Sequence, residues 1–585
     1  MNIFKKKIGL LLHSALQQVS PEQETTLPEN LEKLIENPPK PEMGDYAFPC
    51  FTLAKSFRKA PNKIAEELSQ ILAASLTGEK EVIAVQALGP YINFSISTSL
   101  MASLTLPQMI NGSYFEENKS GDSERVMIEF SQPNTHKGFH VGHMRNVALG
   151  DSLCRIFRYN GDEVIASNYI GDVGAHIAKC LWFYMNHNQE SAPDHLRGEW
   201  LGELYMKAIQ KLESSSPEEA ALFQSEISRI LKHLEEKEPE LSKIWEKTRQ
   251  WSMEDFKTIY HWLDVKFDHF FYESQVDESG KKLVLEEFEK GTFIRSEGAI
   301  GIDLGDVELG FFLLLKSDNN TLYSTKDLAL AKKKFDEFQI ERSIYVVGAE
   351  QTLHFRQVFE TLKRMGYAQA NQCFHLSYGL VALPSGKMSS RSGNVILFSQ
   401  LQEEMNSYIQ NNYLNRFRGE WTEEEIEETT RRVAVAAIKY GMLNQDPNKQ
   451  IVFAMEDWLV SEGDTGTYLI YAYVRIRSIA RQVERSLSVE VDFGLLCHPN
   501  EHALIRLLYD FNDVVQAAGD QHRPSILARM LFDLAKTFSR AYQTCSVKHA
   551  ESAELQSARL LLFHCVAETL KHGLILLGIT PPERM

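Results

Sequence analysis

The chain has 585 residues, 43% of them hydrophobic and 24% charged, with a formal net charge of −17. That length exceeds one hydrophobic core and predicts about four domains, while the acidity argues against a generic nucleic-acid binder with its basic footprint. The seven cysteines are scattered and form no CxxC pair, which argues against a disulfide framework and a zinc ribbon and fits a reducing compartment.

The N-terminal run IGLLL is interrupted by His13 and is too short for a signal peptide. Ile8, Leu11, Leu12 and Leu16 follow helical spacing instead. No stretch approaches the ~20 apolar residues of a membrane span, so a cytoplasmic protein with no membrane partner is expected. NKIAEELSQILAASL predicts a further helix, and EVIAVQALGPYINFSIS predicts strands around a Gly-Pro turn. Residues 1–112 therefore read as a small α/β domain, closed by a polar linker from Asn111 to Glu124.

RVMIEF predicts a strand, followed by a loop, a helix from about His140 to Arg158, and a second strand in GDEVIASNYIGDVG. Strand, helix, strand is a βαβ unit, the seed of a parallel doubly wound sheet. A charged helical stretch at about 186–289 reads as an insertion. Strand-like runs return at AIGIDL, ELGFFLLLK, SIYVVGAEQ and HLSYGLVAL, and from Phe398 nearly everything is helical. The last segment, 466–585, carries 13 Lys and Arg against 12 Asp and Glu, so the acidic excess lies upstream.

The loop after the first strand is SQPNTHKGFHVGH. His140 and His143 are three apart in the first turn of the expected helix and share a face, with Gly138 and Gly142 beside them. A helix start with free N–H groups is a natural phosphate site. A structural helix start and a metal site are the alternatives, but no Glu stands between the histidines as in HExxH. About 250 residues later comes PSGKMSSRSGNVI, a polar loop with Lys387, Ser389, Ser390 and Arg391 that also suits phosphate; no Walker A sequence occurs.

Together HVGH and KMSSR resemble the paired HIGH and KMSKS signatures of class I aminoacyl-tRNA synthetases. Further segments resemble the arginyl-tRNA synthetase family over nearly the whole chain: EFSQPNTHKGFHVGH, NYIGDVG (with Val173 where tryptophan is usual), TLYSTKDLA, YVVGAEQTLHFRQVF and the C-terminal GLILLGITPPERM. The resemblance implies a Rossmann-type α/β catalytic domain with a parallel sheet at 122–398, a helical connecting region at 399–465, and an all-α anticodon-binding bundle at 466–585. It implies an arginine–tRNA ligase that uses ATP with Mg²⁺, needs no zinc and acts as a monomer on L-arginine and tRNA(Arg), and in which adenylate formation requires tRNA.

By the same resemblance His140, His143, Gly138, Gly142, Lys387, Met388, Ser389, Ser390 and Arg391 hold ATP. Lys137 stands where the family keeps a lysine when the loop lysine is missing, as it is here at Ser390. Glu129, Asn134, His140, Tyr323, Asp327 and Gln351 match the arginine-binding positions, with Asp327 facing the guanidinium and Tyr323 one turn earlier. Independently, a glutamate such as Glu129 in an apolar strand is costly to bury without a partner cation. Tyr91 and Asn93 match positions that meet the tRNA elbow. Arg475, Arg477, Arg481 and Arg485 are expected to form a basic stripe on one helix, with Arg477 and Arg481 touching tRNA. A class I ligase for another amino acid and a small-molecule nucleotidyltransferase are the rival readings; the latter needs neither the N-terminal domain nor the helical end.

Overall fold

A computed structural model describes residues 2–19, 30–38, 40–116, 123–384, 386–387, 395–483 and 487–585. They divide into two compact units: Met1–Glu116 with Ala472–Gln516 and Met530–His572, and Glu117–Tyr471 with Ala517–Arg529 and Gly573–Met585.

The first unit begins with α1 (Ile3–Val19), which buries Phe4, Ile8, Leu12, Ala15 and Leu16 at the spacing of one helical face. Strand β1 (Tyr46–Pro49), helix α2 (Pro61–Ser75) and strands β2 (Val82–Leu88) and β3 (Tyr91–Ile96) follow, with β3 in the centre of an antiparallel sheet ordered β1-β3-β2. The C-terminal helices pack on this module inside the same unit. Arg506 pairs with Asp510 at 2.8 Å and lies 3.8 Å over the ring of Tyr46. The Tyr114 hydroxyl donates to the carbonyls of Leu508 and Tyr509, and Phe115 stacks on His572 with centroids 3.9 Å apart.

The second unit is built on β4 (Arg125–Glu129), α3 (Val141–Tyr159) and β5 (Glu163–Ile170). Helices α4 (Arg197–Ser214) and α5 (Pro239–Trp262) come next, then β6 (His269–Tyr272), α6 (Tyr323–Phe338), β7 (Arg342–Gly348), α7 (Thr352–Arg364) and β8 (Cys373–Tyr378). The five strands form one sheet ordered β8-β7-β4-β5-β6, and every pair in it is parallel. The order runs outward from β4 in both directions, so the switch point lies between the carboxyl ends of β4 and β7, where α/β sheets bind ligands. Residues 269–272, inside the stretch expected to be a helical insertion, are the edge strand of this sheet; four residues are too few for periodicity to reveal. AIGIDL and ELGFFLLLK do not join it but form a separate antiparallel sheet with Ile294–Ser296.

The C-terminal helices are α8 (Gly466–Gln482), α9 (Pro499–Asp520), α10 (Pro524–Thr544) and α11 (Ala553–Leu576). Among the described residues no helix is long and apolar enough to cross a membrane.

Candidate active site

The loop from Phe130 to His140 leaves the carboxyl end of β4 and is held from several sides. Ser131, Gln132 and His136 have positive φ (76°, 46° and 60°), a conformation that costs L-residues energy and persists only where surroundings impose it. Asn146 on α3 imposes much of it. Its Oδ1 accepts from Ser131 N at 2.6 Å, and its Nδ2 donates to the Val346 carbonyl on β7 at 2.8 Å. Thr135 N donates to the Gly171 carbonyl, and Asn134 bridges Gly171, tying the loop to the turn after β5.

His136 is not at the helix start. It is fully buried, its Nδ1 3.0 Å from Thr135 Oγ1 and its Nε2 2.8 Å from Thr248 Oγ1, and burial pushes its pKa down to about 3. It is a neutral anchor of the loop on α5.

His140 is the N-cap of α3. Its Nδ1 accepts from Gly142 N at 3.1 Å, and His143 Nδ1 accepts from His140 N at 3.2 Å, a reciprocal capping box built from imidazoles. Because a backbone N–H occupies each Nδ1, both neutral rings carry their proton on Nε2. Burial, then Lys137, pushes the His140 pKa down to about 4; burial, then His140, holds His143 well below its ordinary value. The rings lie 3.9 Å apart. They are hydrogen-bond donors rather than cations, so the positive charge at this site must come from lysine or arginine. Lys137 is the neighbour whose charge both imidazoles feel, and its Nζ lies 5.4 Å from the Tyr205 ring of α4.

The segment that follows the second signature meets the first through the backbone. Val141 N donates to the Ile396 carbonyl at 3.1 Å, Phe398 N donates to the Phe139 carbonyl at 2.9 Å, and His140 bridges Leu397. Before the loop, Lys387 pairs with Ala382 in a short antiparallel ladder. Met388, Ser389, Ser390 and Arg391 lie outside the described residues.

A cluster of ion-paired side chains lies under α6. Asp327 is one turn from Tyr323 on that helix, as expected, and its carboxylate takes His354 Nε2 of α7 at 2.5 Å. Tyr323 is exposed, and Gln351 is exposed at the start of α7. Glu129 is buried and has the cation its environment requires, from within the chain: Lys334 Nζ sits 2.7 Å from Oε2, itself wholly buried and 3.8 Å over the Tyr345 ring.

Three residues of this cluster escaped the sequence reading. Glu273 follows β6 directly and is buried, with Lys326 Nζ at 3.3 Å; burial, set against Lys326, raises its pKa to about 7. A carboxylate at the end of a parallel strand was the available signal, hidden because β6 read as insertion. Lys334 is one of three consecutive lysines, and only its spacing from Tyr323 and Asp327 marks it as the inward one. Asp172, fully buried in the GDVG turn, accepts from Ser274 N and Oγ and pairs with Arg249 at 3.0 Å, which fixes the residue next to Glu273.

The tRNA-contact expectations fare unevenly in geometry. Tyr91 is partly exposed and sits edge-on to the exposed Phe51, centroids 5.9 Å apart. Asn93 is only 3% exposed in the central strand. Arg475 and Arg477, two residues apart, do not share a face of α8: Arg475 lies over Tyr542 and Arg477 is 3.8 Å from Glu568. Arg485 lies outside the described residues. Arg475 therefore stands off the expected stripe, while Arg477 and Arg481, four residues apart, share a face of α8.

The sequence pair that resembles the class I aminoacyl-tRNA synthetase signatures thus lies on a parallel sheet, with the first signature at the switch point. Family models agree on the branch: "tRNA synthetases class I (R), catalytic domain" matches residues 105–455, "DALR anticodon binding domain" 469–585, and "Arginyl tRNA synthetase N terminal domain" 6–96. The arginine–tRNA ligase of Bdellovibrio bacteriovorus is 43% identical over 95% of each chain, and that of Treponema denticola 34% over 98% of each. Among solved structures, Thermus thermophilus arginyl-tRNA synthetase matches with a TM-score of 0.83 at 27% identity, over 99% of this chain and 100% of that one. The Plasmodium falciparum arginyl-tRNA synthetase shares the fold at a TM-score of 0.80 and 22% identity, over 100% of each chain. The chain belongs to the arginyl-tRNA synthetase family.

Proposed function

We propose that the two signatures form one ATP site and that the ion-paired cluster beneath α6 takes arginine. The enzyme is an ATP-dependent ligase that joins arginine to tRNA(Arg). The carboxylate of arginine attacks the α-phosphorus of ATP, the bond to the β-phosphate breaks, and pyrophosphate leaves. A hydroxyl of the 3′-terminal adenosine then attacks the activated carbonyl and AMP leaves. Neither step needs a protein nucleophile, so positioning and charge stabilisation carry the catalysis.

In this reading His140 and His143 donate Nε2–H to phosphate oxygens, and Lys137, Lys387 and Arg391 supply positive charge. Gly138 and Gly142 let the nucleotide approach the backbone, and Met388, Ser389 and Ser390 belong to the same ATP site. Asp327 faces the guanidinium, while Glu129, Asn134, His140, Tyr323 and Gln351 hold the rest of the amino acid. Magnesium travels with ATP as part of the substrate, and no protein ligand is assigned to it. Tyr91, Asn93, Arg477 and Arg481 are the proposed tRNA contacts. We keep 1–112, 122–398, 399–465 and 466–585 as functional divisions, and read the enzyme as a cytoplasmic monomer.

The observation that carries the ATP assignment is the backbone pairing of Phe139–Val141 with Ile396–Phe398, which brings two segments 250 residues apart to one helix N-terminus. Charging total tRNA with each amino acid in turn is the test: arginine alone should be incorporated, and preferential incorporation of another amino acid would overturn the pocket assignment.

A further inference from the structure

The register of the central sheet lines up one row of side chains at its carboxyl edge. Tyr345 on β7 is opposite Glu129 on β4, Glu129 is opposite Ser167 on β5, and Tyr169 is opposite Phe271 on β6. Successive side chains alternate between faces, so Tyr345, Glu129, Tyr169 and Phe271 share a face, and Glu273 follows β6 as the first residue of the next helix. Helix α6 lies over that face: Leu330 packs against Phe271 with Tyr169 alongside, Lys334 reaches Glu129, and Lys326 reaches Glu273. Tyr169 thus stands between two internal ion pairs.

Its hydroxyl is buried and has no hydrogen-bond partner among the described residues. A buried hydroxyl left unpaired carries an uncompensated desolvation cost and calls for an explanation. Burial, and then Asp327, Glu273, Glu129 and Asp172, hold the Tyr169 hydroxyl well above its ordinary range, so it stays protonated at neutral pH. Each of those carboxylates already has a basic partner: His354 on Asp327, Lys326 on Glu273, Lys334 on Glu129 and Arg249 on Asp172. A group that neutral oxygen can serve, with several N–H donors to satisfy carboxylates at the same time, is a guanidinium.

We propose that Tyr169 is a further specificity-determining residue of the arginine pocket, its Oη accepting one guanidinium N–H while its O–H points to a neighbouring carboxylate. This rests on the reading of Asp327 as the guanidinium partner. Losing a hydrogen bond to a charged group corresponds to roughly ten- to hundredfold. Tyr169→Phe should therefore lower kcat/KM for arginine by about that factor, mainly through KM, leave KM for ATP and tRNA unchanged, and leave the melting temperature unchanged or raised. Phe271→Leu, on the same face, controls for packing. If Tyr169→Phe lowers the melting temperature, arginine binding by calorimetry well below the melt decides: a loss matched by Phe271→Leu overturns the proposal, and a loss confined to Tyr169→Phe upholds it. Asp327→Asn separates the two readings. If Asp327→Asn leaves arginine kinetics intact, the pocket reading fails and the Tyr169 role with it. If Asp327→Asn cuts them and Tyr169→Phe does not, only the Tyr169 role is overturned.

Discussion

At the scale of single residues the site works through neutral donors and internal counter-ions. Asp327 meets His354 at 2.5 Å, so in the proposed reading the guanidinium has to compete with or displace an imidazole already at that carboxylate. Breaking one side of a buried ion pair costs on the order of 3–5 kcal/mol. Asp327→Asn is therefore expected to lower kcat/KM for arginine by hundreds-fold or more while ATP binding persists; near-normal arginine kinetics would remove Asp327 from the site. With both signature imidazoles neutral, the proposed reading leaves the charge on the transferring phosphates to Lys137, Lys387 and Arg391. Lys137→Ala should lose roughly 2.7–4 kcal/mol of transition-state stabilisation, the size seen for one preorganised donor. Single-turnover adenylate formation with tRNA present is the measurement, and an unchanged rate would leave the charge to Lys387 and Arg391. His136 bears on pH. Its folded pKa of about 3 lies below the ordinary 6.5, so below pH 6.5 the unfolded chain takes up a proton that the folded chain refuses. Its contribution is complete above pH 6.5 and falls as pH drops toward 3, by about 2 kcal/mol at pH 5. Denaturant melts at pH 7 and pH 5 should show a loss of at least this size in the wild type, because His140 and His143 act in the same direction, and His136→Gln should reduce it.

At the scale of elements, α4 sets the height of the signature loop. A methyl group at Gly202 would lie 2.5 Å from Gly138 N and 3.1 Å from the Lys137 carbonyl carbon, both backbone atoms. The helix and the loop touch only because Gly202 lacks a side chain. Gly202→Ala should cost roughly 1–3 kcal/mol of stability through overpacking, and it should also move Lys137. A misplacement near 1 Å is worth about a hundredfold in rate, so charging should slow at least tenfold with little change in KM for tRNA. Full activity in a folded Gly202→Ala protein would show that the loop does not depend on α4.

At the scale of the whole molecule, each compact unit draws on segments from distant parts of the chain. In the first, the N-terminal module is closed by helices more than 350 residues away in sequence, through contacts such as Tyr114 with Leu508. In the proposed reading, RNA binding by this acidic protein rests on local positions such as Arg477 and Arg481. Neutralising both should weaken tRNA binding and flatten its salt dependence by about one unit of slope per lost phosphate contact. Titrations across salt concentration would settle the matter, since an unchanged slope means those side chains face protein.

Long helices, the βαβ unit and both signatures were legible in the sequence because periodicity and turn chemistry are local. So was the family, because its motifs carry their meaning in residue order. Tertiary structure alone decided what long-range pairing decides. It made residues 269–272 a sheet edge and separated the AIGIDL and ELGFFLLLK strands from that sheet. It buried Lys334 against Glu129 while Lys332 and Lys333 pair near the surface with Asp336 and Glu337. It also turned the signature histidines into neutral donors, because the charge state of an imidazole depends on which N–H groups and how much water surround it. No pattern of residue types along a chain contains that information.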